Sequence, residues 1–189
     1  MANNAVIKGS GWDDYTVDGQ TVGRSGGLLP PVFEESPITG YYTYQYQLND
    51  QGWFVIHIKH AYKAGSKVYP HVHWMHDGVG NGEDVHWEIS YSPAEGYSQK
   101  VFPAMTSFEI VATPDASTSM HQINEASEAQ AFNTNLEIDS LILFRIKRVA
   151  NGGTDYAGKP FLLTVDIHIE TDGRLTNEKN VPFTKRVIK

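Results

Sequence analysis

The chain contains no cysteine, which excludes disulfides, thiolate metal centres and cysteine nucleophiles, and leaves packing or assembly as the source of stability. It has no run approaching about 18 consecutive apolar residues, and Met1 to Asp14 contains neither the basic nor the apolar stretch of a secretory signal. Synthesis in the cytoplasm without membrane association is therefore expected. Positive charge is scarce: 15 Lys and Arg stand against 22 Asp and Glu, for a net charge of -7. The basic residues are scattered except at Arg145, Lys147 and Arg148 and in the tail at Lys185, Arg186 and Lys189, so a phosphate backbone is repelled and no nucleic-acid partner is expected.

Catalytic signatures are not met either. Gly23-Arg24-Ser25-Gly26-Gly27 spells Gly-x-Ser-x-Gly but lies in a glycine-rich stretch without the strand and helix pattern of a nucleophile elbow. Gly153 to Lys159 spells Gly-x-x-x-x-Gly-Lys but runs into Pro160 where a phosphate-binding loop has Ser or Thr, and no His-Glu-x-x-His is present. The neighbouring carboxylates Glu34 and Glu35, and Glu83 and Asp84, lie in turn-rich polar segments without the apolar setting that tunes an acid and base pair. An enzyme is not expected, and neither is a cofactor.

What is present is globular. The chain of 189 residues is 40% hydrophobic, 12% aromatic and only 20% charged, a balance that supports one folded core. Residues 1–40 hold seven glycines together with Pro30, Pro31 and Pro37 and show no apolar period, so they read as an extended N-terminal arm ahead of a domain spanning 41–189. The apolar residues of that arm, Trp12, Leu28, Leu29, Val32 and Phe33, need a partner surface and are interface candidates.

From Tyr41 the pattern turns to period two. Tyr42, Tyr44 and Tyr46 alternate with Thr43, Gln45 and Gln47, and Phe54, Ile56 and Ile58 alternate with Val55, His57 and Lys59, predicting a hairpin about the turn at Asn49 to Gly52. Further strands are predicted at Val68 to His76, Val85 to Tyr91, Ser107 to Ala112, Leu141 to Val149 and Phe161 to Glu170, with a short helix at Asn124 to Phe132. Half-buried strands of this kind suit an all-β antiparallel sandwich, here expected as a jelly roll, with Val85, Trp87, Ile89, Phe161, Leu163, Val165 and Ile167 in its core.

Gly65 to Trp87 carries four of the eight histidines. His71 and His73 are two apart on a predicted strand, so both imidazoles leave one face and are the candidate ligands for a metal. Gly65, five residues and then His71-Val72-His73 resemble the opening of the first cupin motif. The glutamate that should follow is absent, Asp77 being the only substitute, and the second cupin motif has no counterpart. No metal is therefore expected. The other reading is a polar sheet face, joined by His86 and Glu88 and by Asp166, His168 and Glu170, that meets solvent or another subunit. Trp12, Trp53, Trp74 and Trp87 raise a sugar-stacking platform as a further possibility, although Trp74 and Trp87 fall on adjacent predicted strands where packing is the ordinary use.

Phe54 to Trp74 reads FVIHIKHAYKAGSKVYPHVHW, with His60, Tyr62, Lys63, Gly65, Pro70, His71, Val72, His73 and Trp74 as its distinctive positions. The segment resembles a family of small tailed-phage virion structural proteins, which carry a strand ending in histidine, a Tyr-Lys-x-Gly turn and a Pro-His-Val-His-Trp strand. Trp87, Glu88 and Tyr91, and the stretch Asp166 to Gly173, match later features of that family, whereas Lys59-His60 stands where the family has Pro-His. The resemblance implies a virion location and a capsid decoration or auxiliary head protein, or else a neck or tail component. On that reading the chain assembles with itself, as a homotrimer by analogy, and with the major capsid or other virion proteins, through Trp12, Leu28, Leu29, Val32, Phe33, His71 and His73. A cupin-like metalloenzyme centred on His71 and His73, and a carbohydrate-binding module, are the expectations of other classes.

Overall fold

A computed structural model describes residues 11–19, 23–24, 30–78, 82–115, 121–132 and 136–171. Among the described residues there are eleven strands and no helix: β1 (Gly11–Asp18), β2 (Gly23–Arg24), β3 (Val32–Glu35), β4 (Tyr42–Gln45), β5 (Gln51–His57), β6 (Val68–His76), β7 (Val85–Ala94), β8 (Thr106–Ala112), β9 (Gln122–Glu125), β10 (Leu141–Val149) and β11 (Pro160–Thr171). They form two sheets. The first has the order β3-β4-β11-β6-β9, with β1 also on β11, and the second has the order β2-β5-β10-β7-β8. Every pairing is antiparallel. The architecture is the antiparallel β-sandwich of jelly-roll type expected from the alternation.

The inner faces bury one core. Trp74 on β6 and Trp87 on β7 meet edge to face across the two sheets at 6.2 Å, and Tyr46 packs on Trp87 at 5.4 Å. Phe54 and Phe144, paired across β5 and β10, stack at 5.0 Å. Val85, Trp87, Ile89, Val165 and Ile167 are buried in this core as the period-two pattern requires, whereas Phe161 is buried outside it, opposite Met75.

Four further expectations need correction. Leu163 is not in the core. The pairing of β11 with β6 slips between Leu162 and Thr164, so the extra residue Leu163 is bulged and Leu162 takes the buried place. The hairpin does not form either. β4 belongs to the first sheet and β5 to the second, so the turn that holds Asn49 at φ 70° carries the chain across the core. Turn chemistry at Asn49 and Asp50 serves a crossing as well as it serves a hairpin.

The predicted helix is likewise replaced, by β9 and a turn through Glu128 to Gln130. The expected arm is not extended away from the domain where it is described. Residues 11–18 pair with β11 over their whole length, 23–24 pair with β5, and 32–35 pair with β4. Buried Tyr15 anchors β1 inward, and backbone hydrogen bonding supplies the rest.

After β1 the chain passes directly over the bulge. A Cβ on Gly19 would stand 2.6 Å from the carbonyl oxygen of Leu163 and 2.9 Å from that of Leu162, both backbone atoms. Gly19→Ala is therefore expected to destabilise the fold by roughly 1–3 kcal/mol, the usual cost of forcing an atom into occupied space. A lowered urea midpoint with an unchanged m-value checks this.

Candidate functional site

The outward positions of β1, β11, β6 and β9 fall in register. Thr16, Asp166, His71 and Glu125 lie in one row across the sheet, and Asp14, His168 and Tyr69 lie in the next. His71 and His73 do leave one face of β6, as their spacing predicts. The sandwich brings Asp166 and His168 from β11 to them, and Asp14 from β1.

The cluster is tightly connected. His71 Nε2 is 3.7 Å and His73 Nε2 is 3.4 Å from Asp166 Oδ2, which also accepts a 3.0 Å hydrogen bond from the Thr16 hydroxyl. The His168 ring stacks on His71 at 4.1 Å and is held at both nitrogens, by Asp14 at 2.7 Å and by Glu125. His73 Nδ1 is 2.7 Å from His121 Nε2. Although it faces outward, His71 is only 1% exposed and Asp166 only 6%. Burial lowers the basicity of both His71 and His73, the neighbouring histidines act in the same direction, and the Asp166 carboxylate opposes the shift.

Beside this cluster opens a cleft of about 330 Å³ lined by Trp12, Tyr69, Glu125, Glu128 and His168. Trp12 is 60% exposed and meets the Tyr69 ring edge to face at 5.5 Å. The Tyr69 hydroxyl donates a 2.6 Å hydrogen bond to Glu128, which also receives Lys67. That bond to the carboxylate pushes the Tyr69 hydroxyl up to about 12. The cleft thus combines an aromatic wall with carboxylate acceptors and an imidazole.

Other candidate residues lie elsewhere. Val32 and Phe33 stand exposed on the edge strand β3, where Phe33 packs against Tyr44 at 5.2 Å. Leu28 and Leu29 lie outside the described residues. His86 and Glu88 are on the second sheet, paired with Glu109 and Arg145, so they do not share a face with His71. Asp77, the substitute cupin ligand, accepts the backbone N–H of Lys159 at 3.1 Å rather than joining the histidines. His76 is buried, with Nε2 2.9 Å from the carbonyl oxygen of Asp115.

No family model and no curated protein matches the chain. Among solved structures, it is similar to the carbohydrate-binding module CBM36 in complex with calcium and xylotriose, at 8% identity and a TM-score of 0.46, over 81% of this chain and 98% of that one. It is also similar to the CBM36-1 domain of a multidomain xylanase from the hindgut metagenome of Trinervitermes trinervoides, at 6% identity and a TM-score of 0.46, over 82% of this chain and 96% of that one. A third similarity is to CBM35 from Cellvibrio japonicus, at 4% identity and a TM-score of 0.49, over 82% of this chain and 92% of that one. These are carbohydrate-binding modules, a finding against the expectation of a capsid decoration, neck or tail protein located in a virion.

Proposed function

We propose that this chain is a non-catalytic carbohydrate-binding domain whose binding surface is the outer face of the first sheet, at Trp12 and Tyr69. The observation that carries the reading is the cleft itself: a 60% exposed indole set against a tyrosine ring, with Glu125, Glu128 and His168 converging on the same space. A sugar ring offers an apolar face bounded by hydroxyls. An exposed indole takes the face, while carboxylate oxygens and the Tyr69 phenol oxygen accept from the hydroxyls. The edge-to-face packing on Tyr69 fixes the indole before a ligand arrives, which reduces the entropy lost on binding.

Electrophoresis through gels containing xylan, mannan or glucan tests the reading. Retardation by at least one of these polysaccharides is expected, and Trp12→Ala should weaken it by roughly tenfold or more, the scale of an interface aromatic removed. The unfolding midpoint of that variant should stay near the parent's, because the ring is mostly in solvent. Phe33→Ala, on the β3 edge, should leave binding intact. Absence of retardation on every polysaccharide tested, or its loss in Phe33→Ala but not in Trp12→Ala, would overturn the assignment.

A further inference from the structure

We propose that His71, His73 and Asp166 form a binding site for one divalent transition-metal ion of the zinc type. The site does not depend on the carbohydrate reading and is argued from its own donors. The sequence offers only two of the three ligands, because a third sought within a few residues of His73 is not there. The fold supplies it from β11, where Asp166 stands directly opposite His71.

The separations fit a common ion. Ligand atoms about 2.0–2.1 Å from zinc at tetrahedral angles stand roughly 3.3–3.4 Å apart. His73 Nε2 is 3.4 Å and His71 Nε2 is 3.7 Å from Asp166 Oδ2, and the three residues present ligand atoms within 4.8 Å of one another. These distances are too long for good hydrogen bonds and short enough for shared coordination.

Polar atoms without partners point the same way. His73 Nε2 and Asp166 Oδ1 are both buried without a hydrogen-bond partner, on a face where Asp166 is 6% exposed. Buried polar atoms are seldom left so. His73 Nδ1 lies 2.7 Å from His121 Nε2, and the Nε2 atoms of His71 and His73 both face the Asp166 carboxylate at separations that one bridging cation would fill. Outer contacts such as that with His121 also orient the imidazoles of metal sites.

In the alternative grouping of Asp14, His71 and His168, the carboxylate of Asp14 and Nε2 of His168 already meet directly at 2.7 Å, a hydrogen-bond distance that leaves no room for an ion between them, and Glu125 holds the other nitrogen. Calcium is a poor match, since it takes roughly six to eight oxygen ligands. Two imidazoles and one carboxylate suit zinc, cobalt or iron, with solvent in the fourth position.

The test is titration of the purified full chain, first stripped with a chelator, with Zn²⁺ and with Co²⁺. One ion per chain is expected, with a rise in melting temperature and a visible Co²⁺ spectrum of low-symmetry nitrogen and oxygen coordination. Affinity should fall roughly a hundredfold in Asp166→Asn and in His73→Ala, the upper range of effects at metal-site positions. His57→Ala, at an exposed ion pair away from the cluster, should bind as the parent does. If Asp166→Asn fails to fold, His73→Ala and the parent titration still decide the matter. No stoichiometric uptake by the parent, which is the result if a proton serves as the cation, overturns the proposal. So does uptake that His73→Ala leaves undiminished.

Discussion

Arg148→Met is expected to lower the stability of the fold by roughly 2–5 kcal/mol, the cost of leaving two buried carbonyls without donors. Arg148 is only 5% exposed, and the carboxylates of Asp155 and Asp50 are near enough to favour its charge. Its guanidinium donates from Nη1 to the carbonyl of Tyr46 at 2.9 Å and from Nη2 to the carbonyl of Tyr156. It thereby fastens both the crossing between β4 and β5 and the loop before β11 to β10. Methionine keeps the packing volume but none of the donors. With total stability of a domain commonly near 5–15 kcal/mol, the loss is a large fraction.

The same variant has a pH signature. Burial raises the Asp50 carboxyl above its ordinary value, the Gln47 N–H opposes that rise, and the Arg148 charge opposes it further. Removing the arginine raises it more. A carboxyl raised in the folded state holds its proton more tightly folded than unfolded, so it favours folding at low pH and costs stability as pH rises through its folded value. The difference between parent and Arg148→Met should therefore be largest at neutral pH and shrink on acidification through the carboxylate range. Urea unfolding of both proteins across that range measures it.

Trp87→Ala is expected to cost about 3–5 kcal/mol, the range for deleting a large aromatic from a packed core. Trp87 is fully buried between the sheets, against Trp74 and Tyr46, so the void would open where the layers meet. Trp87→Phe should cost far less. The indole N–H of Trp87 is buried without a partner, so removing it forfeits no hydrogen bond. The comparison with Trp74→Phe is informative, because the Trp74 N–H donates to Asn124 at 2.7 Å and its loss strands that oxygen. Denaturant midpoints should therefore fall more for Trp74→Phe than for Trp87→Phe.

Much of the sandwich is legible in the sequence because a half-buried strand writes its burial every second residue. β10 and most of β11 follow that rule, and their inward residues are buried as the alternation requires. The rule fails locally at Leu163, where a bulge resets the phase without any residue to announce it. It is silent on pairing as well: Tyr42 to Gln45 and Gln51 to His57 are both strands, but nothing in the turn between them records that they enter opposite sheets. β1 is hard to read from the sequence for another reason. Buried Tyr15 and partly buried Val17 are its inward anchors, too few to stand out among glycines and acids.

The candidate site was legible only in halves. His71 and His73 declare their shared face through a spacing of two, whereas Asp166, Asp14 and Glu125 reach them by register between strands far apart in the chain. The cleft at Trp12 depends on the same long-range pairing, which is why Trp12 reads as an arm residue until β1 is placed on β11. The basic run at Arg145, Lys147 and Arg148 divides in the structure, with Arg145 pairing with Glu88 on the outer face of the second sheet and Arg148 buried.

The central claim is that carbohydrate binds on the outer face of the first sheet, and heteronuclear NMR of the full chain titrated with a polysaccharide-derived oligosaccharide tests it most directly. The account predicts saturable shifts concentrated at the Trp12 indole N–H and at the backbone of Tyr69, Glu125, Glu128 and His168. Saturable shifts confined to the β3 edge at Val32 and Phe33 or to the second sheet, or no shift with any oligosaccharide that retards the protein in gels, would contradict it.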